Sequence, residues 1–170
     1  MRDRFRASAD KLLPSLIDRL TDQLPHKKTE VDESRVMSLA KYRDAVLRDL
    51  LFLLNTANPV DKEHLTGFTQ VQSSCVNYGI EPLSGANVSE IDWLSVEDNI
   101  RQAITHFEPR INPDSLLIKC LSEQDQASLY NALIVEIRGD LILNPYPQAF
   151  FIQTAMDVET GTFDLVLGGE

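Results

Sequence analysis

The apolar residues of this chain change period at Pro113. Before it they return every three or four positions, as in Leu12, Leu13, Leu16, Ile17, Leu20 and Leu24; after it they alternate, as in Leu116, Ile118 and Cys120. A period near 3.6 buries one stripe of a helix and a period of two buries one face of a strand, so the switch calls for helices first and a sheet second. The strands follow one another with no helical pattern between them, so their pairing is mainly antiparallel and the fold class is α+β. A length of 170 residues with 43% apolar side chains suffices for one packed core.

The first stripe predicts a short amphipathic helix that runs to Leu24, with Pro14 in its first turn and Pro25 as its stop. Residues 25–37, PHKKTEVDESRVM, are charged and aperiodic and read as a linker. Residues 1–24 would then form an arm, and residues 38–170 a single α+β domain. Leu39, Tyr42, Val46, Leu50, Leu53 and Leu54 mark a core helix, widened by Leu47 and Leu51 and closed by Asn58-Pro59. Phe68 to Gly79 predicts a short helix with Gly79 in the left-handed position past its end, then a loop through Pro82, Gly85 and Asn87. Ser95 reads as the N-cap of a further helix, with Glu97 and Asp98 near its positive end and Ile100, Ala103, Ile104 and Phe107 on its buried face. Strands are expected around Leu116 to Leu121, around Leu129 to Arg138, and through Phe150, Ile152, Met156 and Val158. Glu159-Thr160-Gly161-Thr162 then turns the chain into a last strand through Phe163, Leu165 and Leu167, a closing β-hairpin. Tyr78 and Trp93 read as packing residues, since no basic groove accompanies them.

Charge and composition narrow the function classes. A net charge of −10 and a sequence pI near 4.7 work against binding a polyanion, so no nucleic-acid partner is expected. The longest apolar run, Leu50 to Leu54, is far short of the ~20 residues a membrane span requires. The opening MRDRFRASADK lacks the apolar stretch of a secretory signal, which leads to the expectation of a soluble cytoplasmic protein without membrane insertion. Cys75 and Cys120 stand apart with no CxxC, and His26, His64 and His106 are scattered, so neither a metal site nor a cofactor is expected.

One short motif carries charge in a constrained setting. In Thr105-His106-Phe107-Glu108-Pro109-Arg110-Ile111 a carboxylate and a guanidinium flank a proline directly after a helical stripe. An enzyme reading makes Glu108 the general acid of a glycosidase, which needs a second carboxylate about 5 to 9.5 Å away. Arg110 favours the charged carboxylate, whereas a general acid must hold its proton. Residues two apart in an extended chain share a face, and Pro109 restricts the conformations between them, so a rigid charged clasp fits better. The plainer alternative is a pair of solvated charges in a helix-to-strand connection.

Longer strings settle on one resemblance. SLIDRLTD (15–22), RDLLFLLNT (48–56), SSCVNYGI (73–80), IRQAITHFEPRI (100–111) and the closing hairpin around ETG occur in an order that resembles the TssE family over essentially the whole chain. That family is the type VI secretion baseplate subunit related to the lysozyme-like baseplate wedge protein of contractile phages. The resemblance implies a non-enzymatic wedge component, held in the baseplate with TssF, TssG and TssK beneath the sheath of TssB and TssC. It further implies a fold like the sheath's interlocking domain, whose sheet offers a template for the first sheath ring. The family's assembly motif falls on Glu108, Pro109 and Arg110. Leu16, Arg19 and Leu20 are the expected face of a partner-docking helix. The reading from a different class is a peptidoglycan-cleaving, lysozyme-like glycosidase.

Overall fold

The structure, a computed structural model, describes residues 12–21, 25–26, 37–60, 64–82, 92–121, 132–157 and 160–169. The chain divides into two compact units, residues 1–46 and 47–170. In the first, helix α1 (Leu16–Leu20) starts at Ser15, whose hydroxyl accepts from the Asp18 amide at 3.3 Å. This is shorter than the helix expected from Leu12 to Leu24: Leu12 is not helical, and its carbonyl accepts from the Met37 amide at 2.9 Å. Residues 22–24 and most of the expected linker lie outside the described residues.

Helix α2 (Leu39–Leu54) opens on Ser38, which caps the Lys41 amide at 3.3 Å. The apolar stripe of α2 is buried from Tyr42 through Val46 to Leu50, Leu53 and Leu54, while Leu39, at its very start, stays exposed. The second unit continues with the one-turn helix α3 (Thr69–Gln72) and a 3-10 turn at Cys75–Asn77, in place of one short helix from Phe68 to Gly79. Gly79 takes the positive φ expected of it, 128°, for another reason. The chain there runs against residues 56–58, with Ile80 N–H donating to Thr56 O and Asn58 N–H to Ile80 O, both at 2.9 Å. Of the expected loop only Pro82 is described; Gly85 and Asn87 are not.

Helix α4 (Trp93–Phe107) starts two residues before the expected cap. Asp92, not Ser95, caps it by accepting from the Leu94 amide at 3.2 Å, because a carboxylate one residue outside the first turn reaches an amide that Ser95, already helical, cannot. Val96, Ile100, Ala103 and Ile104 form its buried face. A 3-10 turn at Pro113–Ser115 then leads into the sheet.

Four strands, β1 (Leu117–Leu121), β2 (Ala132–Leu141), β3 (Gln148–Asp157) and β4 (Phe163–Gly169), pair in sequence order, each antiparallel to the next. The α+β class with a closing hairpin is thus what the chain forms. Expected strand residues Leu129 and Val158 lie outside the described residues, as does Glu159 of the turn. Gly161 supplies the turn with φ 71°. The sheet departs from strict alternation at two places. On β2, Ile134 is buried together with Leu133, Val135 and Ile137. On β3, Gln153 and Thr154 are both buried, and the register against β4 shifts between them, with Val166 of β4 as the extra residue. The core of this unit joins Leu50, Leu53, Ile100, Ile104, Leu116, Ile137, Ile152 and Met156, each fully buried and worth about 1.5–3 kcal/mol relative to exposure.

Candidate functional site

The Glu-Pro-Arg motif sits where α4 stops. Glu108 is the residue that ends the helix, its amide still donating to Ile104 O at 2.9 Å while its φ and ψ, −121° and 79°, leave helical space. The next residues bend back: Ile111 N–H donates to Glu108 O at 3.2 Å, and Ile111 makes a single antiparallel bridge to Leu141 at the end of β2. Ile142 N–H reaches Arg110 O at 2.8 Å. The motif is therefore stitched to the sheet on one side and to the helix on the other.

Within it the clasp is closed. Glu108 is 3% exposed, and its Oε1 accepts from Arg110 Nε at 2.6 Å and from the Arg110 amide at 3.1 Å, while its Oε2 accepts from Arg110 Nη2. This is a side-on, bidentate guanidinium–carboxylate pair. The same Nη2 donates to Asp49 Oδ2 on α2 at 2.7 Å, and Arg48 binds Asp49 Oδ1 through Nε and Nη2 at 2.9 and 2.8 Å. Charges thus alternate along Arg48, Asp49, Arg110 and Glu108, locking the end of α4 to α2. Burial by itself pulls the Arg110 pKa down, but the hydrogen bonds and charges of Glu108 and then Asp49 outweigh it and hold the guanidinium above its ordinary range. Tyr78 stands beside this group, its ring edge-on to Phe107 with centroids 5.1 Å apart; burial first, then Asp49 and Glu108, push its phenol up from 10.0. Tyr78 packs, as expected, and its partner is Phe107, the residue before the clasp.

The sheet edges form the second part of the site. On β1, α4 runs alongside the outer edge and two of its side chains occupy main-chain groups there: Glu97 accepts from the Cys120 amide and Arg101 Nη1 donates to Leu116 O, both at 2.8 Å. Partial burial and then the nearby Glu97 carboxylate push the half-buried Cys120 thiol up to about 12. On β4 a side-chain amide does something similar at one position only. Asn55, just past α2, accepts from Phe163 N–H at 2.8 Å and donates to Phe163 O at 2.9 Å, copying a peptide group of a neighbouring strand. Phe163 pairs with Met156, Asp164 with Ala155 and Leu165 with Thr154. Antiparallel pairs alternate in direction, so if the groups of Phe163 face outward, those of Asp164 face β3 and those of Leu165 face outward again. Leu165 is 44% exposed. Among the described residues, the outward main-chain groups of Leu165 are not covered as those of Phe163 are.

The structure brings Glu108 and Arg110 together with Pro109 exposed between them, and it keeps Leu16, Arg19 and Leu20 on the separate α1, where Leu16 and Leu20 are 70% and 76% exposed. Sequence reasoning missed Asp49, Asn55 and Glu97, whose partners lie 61, 108 and 23 residues away. A weak signal existed for Asp49 alone, a carboxylate immediately before the apolar run that begins at Leu50. A cavity of about 140 Å³ beside α4 is lined by the carboxamides of Asn58, Gln72, Asn77, Asn99 and Gln102 together with His106 and Phe107. Carboxamides offer hydrogen bonds, and His106 is the single titratable side chain in that lining. Among the described residues no group of three or more His, Cys, Asp or Glu could hold a metal ion, and no helix is long and apolar enough to cross a membrane.

A search of curated proteins and one of solved structures found no significant match. The family model described as baseplate wedge protein gp25 matches residues 40–146, a span that takes in Asp49, Asn55, α4, the clasp, β1 and β2. The chain therefore belongs to the baseplate wedge protein gp25 family, of which TssE is the type VI homologue.

Proposed function

We propose that this chain is the TssE-type wedge component of a type VI secretion baseplate, a cytoplasmic assembly protein that links TssF, TssG and TssK to the first sheath ring of TssB and TssC. The family match supports the baseplate role, and the ordered strings of the sequence support the type VI assignment. One observation favours assembly over catalysis: both oxygens of Glu108 accept from the guanidinium of Arg110, so neither is turned out toward a leaving group. A glycosidase acid must instead present a proton to a leaving group. In this reading Glu108, Pro109 and Arg110 set the shape of the wedge surface at the end of α4. The arm of residues 1–24 docks into a partner subunit through Leu16, Arg19 and Leu20, joined by the 25–37 linker to the 38–170 domain. The uncovered edge of β4 is the template on which sheath strands are added.

The test uses cells lacking the chain and carrying a fluorescent sheath subunit. Wild type restores sheaths, and Glu108→Ala or Arg110→Ala, present at normal abundance, does not. Normal sheaths in both variants would remove the motif from assembly. Clearing of purified cell wall by the protein, abolished in Glu108→Gln, would replace the scaffold reading with the glycosidase.

A further inference from the structure

The two edges of the sheet are guarded differently, and the guard on β4 stops short. Glu97 and Arg101 of α4 take main-chain groups at Cys120 of β1 and at Leu116 just before it, four residues apart, which holds that edge at two positions flanking Ile118. On β4 the Asn55 carboxamide occupies both groups of Phe163 with the geometry of a strand neighbour, and its second amide hydrogen donates to Leu51 O at 3.0 Å, which anchors it to the end of α2. The next outward-facing residue is Leu165.

We propose that Asn55 is a strand stop: its carboxamide stands in for the terminal peptide group of an added strand, so that a segment from another chain pairs with β4 only from Leu165 onward. The inference rests on the strand-template reading above and adds the residue that limits how far the pairing extends. The side chains say what such a segment must look like. Phe163 faces the core and Leu165 lies on the same face, half covered, while Asp164 is exposed on the other face of a chain with net charge −10. The occupant is therefore an extended segment with an apolar residue beside Leu165 and a basic one beside Asp164. It gains main-chain hydrogen bonds at Leu165, where none are made with Asn55, and none at Phe163, where the donor and acceptor are already satisfied.

Residue-resolved hydrogen exchange on the full chain, free and assembled with TssB–TssC, tests this. In the free wild type the Phe163 amide is protected and the Leu165 amide is not; on assembly Leu165 becomes protected. In free Asn55→Ala the Phe163 amide exchanges about tenfold faster, the fold-change of one lost hydrogen bond. In assembled Asn55→Ala, protection returns to Phe163 and the protected stretch of the sheath segment lengthens to match. Asn55 is exposed, and Asn55→Ser, too short to reach both groups of Phe163, serves in its place should the alanine variant not fold. An identical protected stretch on the sheath segment with wild type and variant would overturn the stop alone. No protection of Leu165 in the wild-type assembly would overturn the strand-template reading and the stop with it.

Discussion

Glu108 holds a charge in a nearly sealed site, and among the described residues its carboxylate accepts only from Arg110. Truncating Arg110 to alanine strands that charge, so the variant should lose about 3–5 kcal/mol of unfolding free energy in chemical denaturation. Asp49 is 29% exposed at its side chain and shares Arg110 with Glu108, so Asp49→Asn should cost about 1 kcal/mol or less. Equal losses would contradict the order of importance read from burial. Tyr78 adds a pH signature. Its phenol is raised in the folded state, so the unfolded chain releases that proton first and stability falls as pH rises above the ordinary value of 10.0. Tyr78→Phe should flatten that alkaline decline, and a variant that declines as steeply as wild type would place the cause elsewhere. The pairing of Glu108 with Arg110 was legible because both residues lie within three positions and a proline narrows the choices. Asp49 was not, because a carboxylate beside an apolar run does not name a partner 61 residues away.

At the level of elements, the change of period separated helices from strands, and where element bounds differ, contacts that periodicity does not encode set them. Gly79 is the clearest case: a Cβ there would lie 2.3 Å from Thr56 O and 2.8 Å from Asn58 N, so the position requires glycine for a close backbone approach as well as for its φ of 128°. Gly79→Ala should therefore lose about 3 kcal/mol, measured by thermal or chemical unfolding. Little or no loss would mean that the approach relaxes freely. Alternation also left open which amides of the hairpin face outward. The pairing register answers that for β4, and it separates two neighbouring prolines. Asp164→Pro removes a donor aimed at β3 and should cost about 3 kcal/mol, whereas Leu165→Pro removes a donor at the free edge and should cost about 1 kcal/mol or less. If the two prolines are equally damaging, the register of β4 is not as described.

At the scale of the molecule, a rigid charged corner at the end of α4 is joined to a sheet whose β1 edge is held by Glu97 and Arg101 and whose β4 edge, among the described residues, is uncovered at Leu165. A net charge of −10 favours partners that bring basic surface and disfavours nucleic acid, in keeping with a protein assembly role. The central claim is that this open edge starts the sheath, and seeding is its most direct readout. Purified TssF–TssG wedges carrying either the wild-type chain or Leu165→Pro would be mixed with TssB–TssC and sheath counted by electron microscopy. Wild type should seed sheath, and Leu165→Pro should fold and join the wedge yet fail to seed. Equal seeding by a folded, wedge-bound Leu165→Pro would contradict it.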